Sequence, residues 1–305
     1  MLLIQNYNLM KIIQKRKYFY VLSGTLVVLS LLTLFVWRLN LGIDFTGGVL
    51  MEVDFQEQAP ERDEIQKSVE EIEGINSVQV QPVGENEVII RFSSDDDSKN
   101  TEVIDSLKQY YSSVEIKRVE FISSTISSEL KSRAFYAIAI AVIAIAVYIA
   151  WAFRKVTYPI TSWKYGIGAV IALVHDVLIT VGVFAVLGKF YGLEIGIPFV
   201  AALLTILGYS VNDTIVVYDR IRENLLRAGA TDEFEETVNK SINETLGRSI
   251  NTSFTVILVL VAIIILGSGD IKYFALALAM GVLFGTYSSI FVASSFVVEL
   301  WKRRS

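Results

Sequence analysis

Six long apolar stretches divide this chain and limit the folds that are open to it. Each is close to the length of about 20 residues that a helix needs to cross the hydrocarbon core of a bilayer. Hydrophobic residues make up 53% of the 305 residues and charged residues only 19%, which is the composition of a membrane protein. We therefore predict a polytopic α-helical membrane protein with six transmembrane helices, at residues 18–38, 134–153, 166–188, 195–218, 249–267 and 272–298.

The distribution of lysine and arginine predicts how these helices are oriented. Cations precede the first stretch, separate the second from the third, and follow the fourth and the sixth, whereas the connections at 189–194 and 267–270 contain few. The positive-inside rule then places both termini, residues 1–17 and the basic tail 299–305, in the cytoplasm and residues 39–133 outside. The first apolar run exceeds the about 7–15 residues of a signal-peptide core, so we expect it to remain as an anchor.

Residues 39–133 have the pattern of a small folded domain. Strand candidates lie at 48–55, 78–80, 88–92 and 114–121, with one helical stripe before the second strand and another after the third. Because the order β-α-β-β-α-β is that of a ferredoxin-like sandwich, we predict one α+β ferredoxin-like extracytoplasmic domain after the first helix. The segment shows no nucleophile–base pair, metal-ligand spacing or phosphate loop, so we expect a binding module.

Residues 219–247 form the one sizeable cytoplasmic loop in this topology. Phe234, Val238, Ile242 and Leu246 recur at four-residue intervals, which predicts an amphipathic helix. We expect this helix to lie along the membrane surface before the chain enters the fifth span.

The fourth apolar stretch contains a carboxylate, Asp213, about two-thirds of the way along its length. An aspartate at the centre of a spanning helix costs roughly 2.5–3.5 kcal/mol on insertion scales, so it requires a partner, a water-filled cavity or a protonation cycle. Ser210 and Thr214 share its helix face and Asn212 lies beside it, which predicts a polar face inside the bundle.

Two further spans contain polar residues that lipid does not tolerate. His175 and Asp176 fall near the centre of the third span, and Arg248 begins the fifth, followed on one helix face by Asn251 and Thr252. We expect these groups to face a common interior, with Arg248 opposite Asp213. The arrangement predicts a proton or ion pathway, and the alternative is a static ion pair that holds the bundle together.

An enzymatic function is not expected from this sequence. There are no cysteines and only one histidine, which argues against a zinc site, and no other metal site or cofactor motif occurs. Asp219 and Asp270 lie in motifs similar to those of intramembrane aspartyl proteases, but the predicted topology separates them by the bilayer core of about 30 Å. We expect no cofactor and no nucleic-acid partner, and a lipid bilayer as the environment of the chain.

A small residue occurs at every fourth position of the sixth span, at Ala277, Gly281, Gly285 and Ser289. Small residues at this spacing let two helix backbones approach closely, so we predict a helix-packing face there. A partner subunit or a second copy of the chain would also fit that face.

Five motifs together resemble the SecF family of protein-export membrane subunits, which belongs to the resistance-nodulation-division transporter superfamily. The first is the turn Gly42-Ile-Asp44-Phe-Thr-Gly47-Gly48 just after the first span, where the two glycines also suit a turn into a strand. The others cover residues 172–177, 208–214, 218–224 and 245–253. The matches extend over most of the chain, in the order and spacing of the family.

The resemblance implies a function and a set of partners. It implies a subunit of the inner (cytoplasmic) membrane that works with SecD and a SecYEG-type channel, uses the proton-motive force and handles translocating preproteins through its external domain. The family's intramembrane aspartate falls on Asp213 and its arginine on Arg248. A half-size proton-driven exporter of small molecules is the alternative within the superfamily, and a passive scaffold is a third possibility.

Overall fold

A computed structural model of the chain describes residues 10–56, 59–83, 86–94, 96, 98–111, 113–154, 161–228, 234–267 and 269–302. It divides into two compact units, a membrane unit and a sheet unit. Among the described residues, the sheet unit contains Asn40–Phe135 and Tyr191–Ile197, and the membrane unit contains the rest. In chain order the elements are α1 (Arg16–Trp37), α2 (Ile43–Thr46), β1 (Gly48–Phe55), α3 (Arg62–Glu70), β2 (Asn76–Pro82), β3 (Glu87–Ser93), α4 (Ser98–Tyr110), β4 (Val114–Ile122), α5 (Ser124–Ala152), α6 (Ser162–Tyr191), α7 (Ile197–Ala228), α8 (Phe234–Leu266), α9 (Gly269–Ser288) and α10 (Ser294–Lys302).

In the part of the chain that the structure describes, six helical segments are long and apolar enough to cross a membrane, and they correspond to the six predicted spans. The sixth segment consists of α9 and α10 joined by a π-helical turn at Ser289–Ala293. About half of the apolar part of α6, α7 and the sixth segment is buried, whereas α1, α5 and α8 bury less than a fifth of theirs. The core of the membrane unit therefore lies among α6, α7 and α9–α10.

The structure corrects the predicted amphipathic helix in the loop at 219–247. α7 continues to Ala228 and α8 begins at Phe234, so the predicted surface helix is the first part of one continuous helix of 33 residues. Its apolar residues Val238 and Ile242 are fully buried in the core of the membrane unit. They are therefore not available to contact a bilayer surface.

The segment before α1 covers that apolar face. Ile12 and Ile13 are buried in the same core, and their backbone N–H groups donate to the Asn239 side chain at 2.9 and 3.2 Å. Arg16 forms ion pairs with Glu235 at 3.1 Å and Glu299 at 2.7 Å. Three of the chain's elements are therefore joined at this end, which a prediction from charge alone treats as a solvated basic segment.

The sheet unit contains one antiparallel sheet with the strand order β2-β3-β1-β4. The predicted first strand, 48–55, coincides with β1, and the element order β-α-β-β-α-β is the one on which the ferredoxin-like prediction rests. Alternate residues of β1 are buried against α3 and α4, which bury Ile65 and Leu107 on their inner faces. This alternation is what one buried sheet face requires.

Asp96 lies two residues before the start of α4. The Asp96 carboxylate accepts a hydrogen bond from the backbone N–H of Ser98 at 2.9 Å. This hydrogen bond favours the charged carboxylate and lowers the pKa of Asp96.

The connection between α6 and α7 belongs to the sheet unit, which the sequence did not predict. Ile195 pairs with Leu41 in a parallel bridge, and Glu194 forms an ion pair with Arg91 of β3 at 2.8 Å. Two backbone hydrogen bonds of 2.9 Å join Ile195 to Asn40 and Gly42. The prediction of an extracytoplasmic domain made of 39–133 therefore leaves out one of its segments.

The small-residue face of the sixth span packs against α7 of the same chain. A Cβ atom at Gly281 would lie 2.2 Å from side-chain atoms of Ile206, and one at Gly285 would lie 3.0 Å from Ser210 Cβ. The predicted helix packing is present, but these two glycines contact the chain itself and are not free for a partner.

We expect Gly281→Ala to lower the free energy of unfolding by about 1–3 kcal/mol, because added volume in a packed core forces neighbouring side chains from their rotamers. Gly24→Ala is the matched control, since no atom lies within 4 Å of a Cβ at that position of α1. Thermal unfolding of both variants in detergent measures the difference. Equal melting temperatures would contradict the close contact between α7 and α9.

Candidate functional site

Among the described residues, two carboxylates are buried in the core of the membrane unit, Asp176 on α6 and Asp213 on α7. Asp176 is fully buried and Asp213 is 7% exposed. Both carboxylates lie in apolar spans, where exposure to lipid would be unfavourable. Each therefore depends on the polar side chains around it. Their surroundings differ.

Only one oxygen of Asp213 is hydrogen bonded. The Ser249 hydroxyl of α8 donates to Asp213 Oδ1 at 2.6 Å, whereas Oδ2 is buried and has no hydrogen-bond partner among the described residues. The Ser289 hydroxyl also lies near the carboxylate, but its bonds are with Thr214 Oγ1 at 2.9 Å and the Gly285 carbonyl at 2.8 Å. Asp213 Oδ1 therefore has a hydrogen-bond donor, whereas Oδ2 has none among the described residues.

The structure does not pair Arg248 with Asp213. Ser249, the next residue, reaches the carboxylate, while Arg248 lies on the exposed face of α8. Within the part of the chain that the structure describes, Arg248 forms no ion pair, and its charge acts on Asp213 through space. The prediction that Arg248 faces a common interior with Asp213 is therefore wrong for this chain alone.

Asp176 is surrounded by three donors from three helices. His175 Nδ1 lies 2.9 Å from Oδ1, and the hydroxyls of Ser210 on α7 and Ser288 on α9 donate to Oδ2 at 2.6 and 2.8 Å. His175 Nε2 is buried and has no hydrogen-bond partner among the described residues. The imidazole stacks against Tyr287, with ring centroids 6.0 Å apart.

A π-helical turn lies beside both carboxylates. It covers Ser289–Ala293 in the sixth span, and the Ser294 hydroxyl donates to the Ser289 carbonyl at 2.9 Å. Single π turns inside α-helices are frequent at functional sites because they change the direction of side chains on either side. Here the turn follows Ser288, which donates to Asp176, and begins with Ser289, which lies near Asp213.

The glycine-rich turn after α1 connects to the start of α7. The Asp44 carboxylate accepts the first backbone N–H of α7, that of Ile197, at 2.7 Å. Gly47 and Gly48 have φ angles of 74° and 113°, which residues with a side chain rarely adopt. A Cβ at Gly48 would also lie 2.6 Å from the Phe92 carbonyl oxygen of β3.

Two family models match this chain, and their matches include the buried carboxylates and the glycine-rich turn. A family model described as "Protein export membrane protein SecD/SecF, C-terminal" matches residues 102–303, and one described as "SecD/SecF GG Motif" matches residues 34–59. The chain is 41% identical to the protein translocase subunit SecF of Thermobaculum terrenum, over 96% of this chain and 94% of that protein. The chain belongs to the SecF family.

Other relatives agree with this assignment. The SecF subunit of Rhodothermus marinus is 39% identical, over 95% of this chain and 93% of its own length. The crystal structure of SecDF, a translocon-associated membrane protein from Thermus thermophilus, matches with a TM-score of 0.83 and 32% identity. That match covers all of this chain and 40% of the solved chain. The likeness to SecDF bears out six spans with a sheet domain after the first.

An exposed polar strip lies on the two helices that meet at Asp213 and Ser249. We define it as Asn212 on α7 and Arg248, Asn251 and Thr252 on α8, all of which are exposed in this SecF-family chain. The Thr252 hydroxyl donates to the Arg248 carbonyl at 3.0 Å. The other three side chains have no partner within the described residues. Polar groups at a lipid-facing position are unfavourable, so this strip requires a cover.

Several hydroxyl residues of the site do not follow from the sequence pattern. Besides Ser210 and Thr214, which were predicted, the structure adds Ser249, Ser288 and Ser289. The first of the two serine doublets in the sixth span, Ser288-Ser289, is a signal for them, although only Ser289 was interpreted, as part of a packing face. The position of Ser249 between Arg248 and Ile250 carries no such signal.

We expect Gly48→Ala to lower the free energy of unfolding of this SecF-family chain by about 2–3 kcal/mol, because alanine there combines a left-handed φ with a clash against backbone. Gly269→Ala is the matched control, since its φ of 54° is also positive but no atom lies within 4 Å of the new Cβ. Denaturant titration of both variants separates the clash from the conformational strain. A loss at Gly48 no larger than that at Gly269 would contradict the close approach to Phe92.

Proposed function

We propose that this chain is an accessory subunit of the Sec protein translocase that, with SecD, uses the proton-motive force to promote preprotein translocation and release across the cytoplasmic membrane. Its membership of the SecF family supports the role in protein export. The observation that carries the proton coupling is the environment of Asp213, a buried carboxylate with one bonded and one unsatisfied oxygen.

Such a carboxylate is suited to bind and release a proton. In the charged state it has the Ser249 hydroxyl as donor and the nearby Arg248 charge as counter-charge. In the neutral state the proton resides on Oδ2, which has no competing donor, and burial favours this form. A proton that crosses the membrane field releases about 2.3 kcal/mol per 100 mV, enough to shift an equilibrium between two conformations.

The polar strip supports SecD as the partner in the membrane. Arg248 and Asn251 on α8 and Asn212 on α7 present donors and acceptors that lipid cannot satisfy. Helices of a partner with a carboxylate opposite Arg248 would pair the cation and remove the side chains from lipid. The polar strip is therefore the surface that we assign to SecD.

The positive-inside pattern supports the orientation of the proposal. Both termini then lie in the cytoplasm, and the sheet unit lies outside, where a preprotein emerges from the SecYEG-type channel. In this proposal the sheet unit holds the preprotein while proton uptake at Asp213 changes the conformation of the spans. Asp44, which accepts the first N–H of α7, lies at the external end of the helix that contains Asp213.

A half-size exporter of small molecules is less well supported. It requires a substrate pocket in the external domain, and the cavity there has a volume of about 250 Å³ and lies between the glycine-rich turn, β3 and Glu194. Pockets for drug-sized ligands are roughly 300–1,000 Å³ and mostly apolar. A passive scaffold is the remaining alternative, and it predicts no response to a proton gradient.

Reconstitution with SecD and the SecYEG-type channel tests the proposal. We expect an imposed proton gradient to accelerate late preprotein movement and an uncoupler to return the rate to its level without a gradient. A sodium gradient of the same size is the control for the identity of the ion. Preprotein movement that does not respond to either gradient would favour the scaffold and overturn the coupling.

A further inference from the structure

We propose that His175 and Asp176 form a second proton-carrying pair in the same pathway, joined to the Asp213 site through serine and threonine hydroxyls. The inference rests on the proposed function, because it adds a step to the proton path of which Asp213 is one part. Three features of the structure lead to it: the bonding of the pair, its unsatisfied nitrogen and the residues that link it to Asp213.

The two side chains form a unit that is closed to lipid. His175 is 5% exposed and Asp176 is fully buried, and His175 Nδ1 lies 2.9 Å from Asp176 Oδ1. An imidazole held by a carboxylate in this way has its tautomer fixed, with the Nδ1 proton directed at the carboxylate and Nε2 free to accept. The pair has a net charge of −1 when the imidazole is neutral, and it becomes charge-balanced, as imidazolium and carboxylate, when it takes up one proton at Nε2.

The free nitrogen distinguishes this pair from a purely structural contact. Buried polar atoms of a structural network are almost always hydrogen bonded. All three partners of Asp176 are in place, yet His175 Nε2 has no partner among the described residues. A nitrogen that is buried, basic and unsatisfied is a site where a proton or a water molecule binds.

Serine and threonine hydroxyls lie between the pair and the Asp213 site. Ser210, which donates to Asp176 Oδ2 at 2.6 Å, lies on α7 one turn before Asp213. Ser288 donates to the same oxygen at 2.8 Å, and its neighbour Ser289 bonds Thr214, the residue after Asp213. Hydroxyl groups both donate and accept, so they can pass a proton by reorientation. The proposal requires bridging water between Ser210 and Asp213 or between Ser288 and Ser289 to complete the relay.

The proton balance of the step is simple. One proton binds His175 Nε2, the Nδ1 proton moves to Asp176 Oδ1, and one proton leaves through the hydroxyls toward Asp213. The carboxylate then returns to its starting form, while the imidazole is left with its proton on Nε2. A ring flip that exchanges the two nitrogens restores the starting tautomer, and no group is oxidised or reduced. Around the imidazole, α6 contributes Asp176 and α9 contributes Tyr287, whose hydroxyl lies 3.1 Å from Ser23 on α1. From α7 the charged group in the pathway is Asp213.

The single histidine of this chain makes the test direct. Labelling the full chain with ¹⁵N-histidine and placing it with SecD in nanodiscs gives one imidazole from the chain, provided that SecD is left unlabelled. We expect the ¹⁵N chemical shifts to report a change in the charge of the imidazole between pH 5 and 9. We expect the midpoint of this change to move by at least one pH unit in Asp176→Asn. We also expect it to move in Asp213→Asn, since the two sites exchange protons.

Proton flux into proteoliposomes supplies the second readout. We expect His175→Gln to slow the flux at least tenfold and Asp219→Asn to leave it unchanged, because Asp219 is an exposed aspartate of α7 that pairs with Arg222 outside the site. If the parent complex shows no proton flux, the proposed function itself fails. If the parent shows flux while His175 keeps one charge state at all pH values and His175→Gln behaves like the parent, only this inference is overturned. The ¹⁵N signals of His175 and the flux of His175→Gln test this inference even if Asp176→Asn does not fold.

Discussion

Asp213→Asn is expected to abolish gradient-dependent preprotein export, with a fall of about a hundredfold or more, while the chain stays folded and bound to SecD. Asparagine has the size and shape of aspartate and keeps an oxygen that accepts the Ser249 hydrogen bond. The asparagine amide cannot bind or release a proton near neutral pH. The substitution therefore removes the titratable group and leaves the packing of α7 against α8 in place.

The measurement compares preprotein movement in proteoliposomes with and without a proton gradient. Asp219→Asn is the matched control, because it makes the same chemical change on the same helix at an exposed aspartate that pairs with Arg222. Asp213→Glu keeps the carboxylate and is expected to retain part of the coupling. Export by Asp213→Asn at the parent rate, with its full response to the gradient, would refute the role of Asp213.

Hydropathy and alternation predicted most of the architecture. The six spans follow from apolar length, and β1 follows from its period-two pattern, since both are set by burial along a single element. Each of the six spanning segments extends beyond its predicted apolar stretch at one or both ends, as α7 does at its C-terminal end and α8 at its N-terminal end. Hydropathy detects the lipid-facing length of a helix and not the polar turns that continue it.

The misses all concern which element a side chain contacts. The apolar stripe of Val238 and Ile242 predicted a membrane-surface helix, but the segment before α1 supplies the cover instead. The face containing Gly281 packs on α7 of the same chain. Periodicity identifies a face that needs a partner, whereas the identity of the partner depends on tertiary contacts between residues that are distant in sequence.

At the candidate site, too, the sequence identified the residues but not all of their partners. Asp213, Asp176 and His175 were found because ionisable groups in an apolar stretch are conspicuous. The pairing of Asp213 with Arg248 was inferred from charge alone, and the structure replaces it with Ser249, one residue further along α8. A shift of one residue rotates a helical side chain by about 100°, which is enough to move Arg248 from the interior to the outer surface.

The exposed position of Arg248 gives the second prediction with a large expected effect. Arg248→Ala is expected to reduce gradient-dependent export by about tenfold or more and to weaken the complex with SecD. In the proposed complex the guanidinium pairs with a partner carboxylate, and its removal leaves that charge unpaired inside the membrane. Breaking a buried ion pair in this way costs about 3–5 kcal/mol. Arg248→Lys keeps the charge, so we expect it to retain more of both properties.

Copurification with SecD and export in proteoliposomes measure the two effects separately. Arg227→Ala is the matched control, because Arg227 is an exposed cation near the end of α7 whose partner, Glu223, belongs to the same helix. If Arg248 only balances Asp213 within this chain, Arg248→Ala will impair export but leave the complex with SecD intact. If it anchors the interface, both properties will fall together, and a charge-reversed partner variant will restore them. The exposed guanidinium favours the second result, because a cation that serves only its own chain has no reason to face outward into lipid.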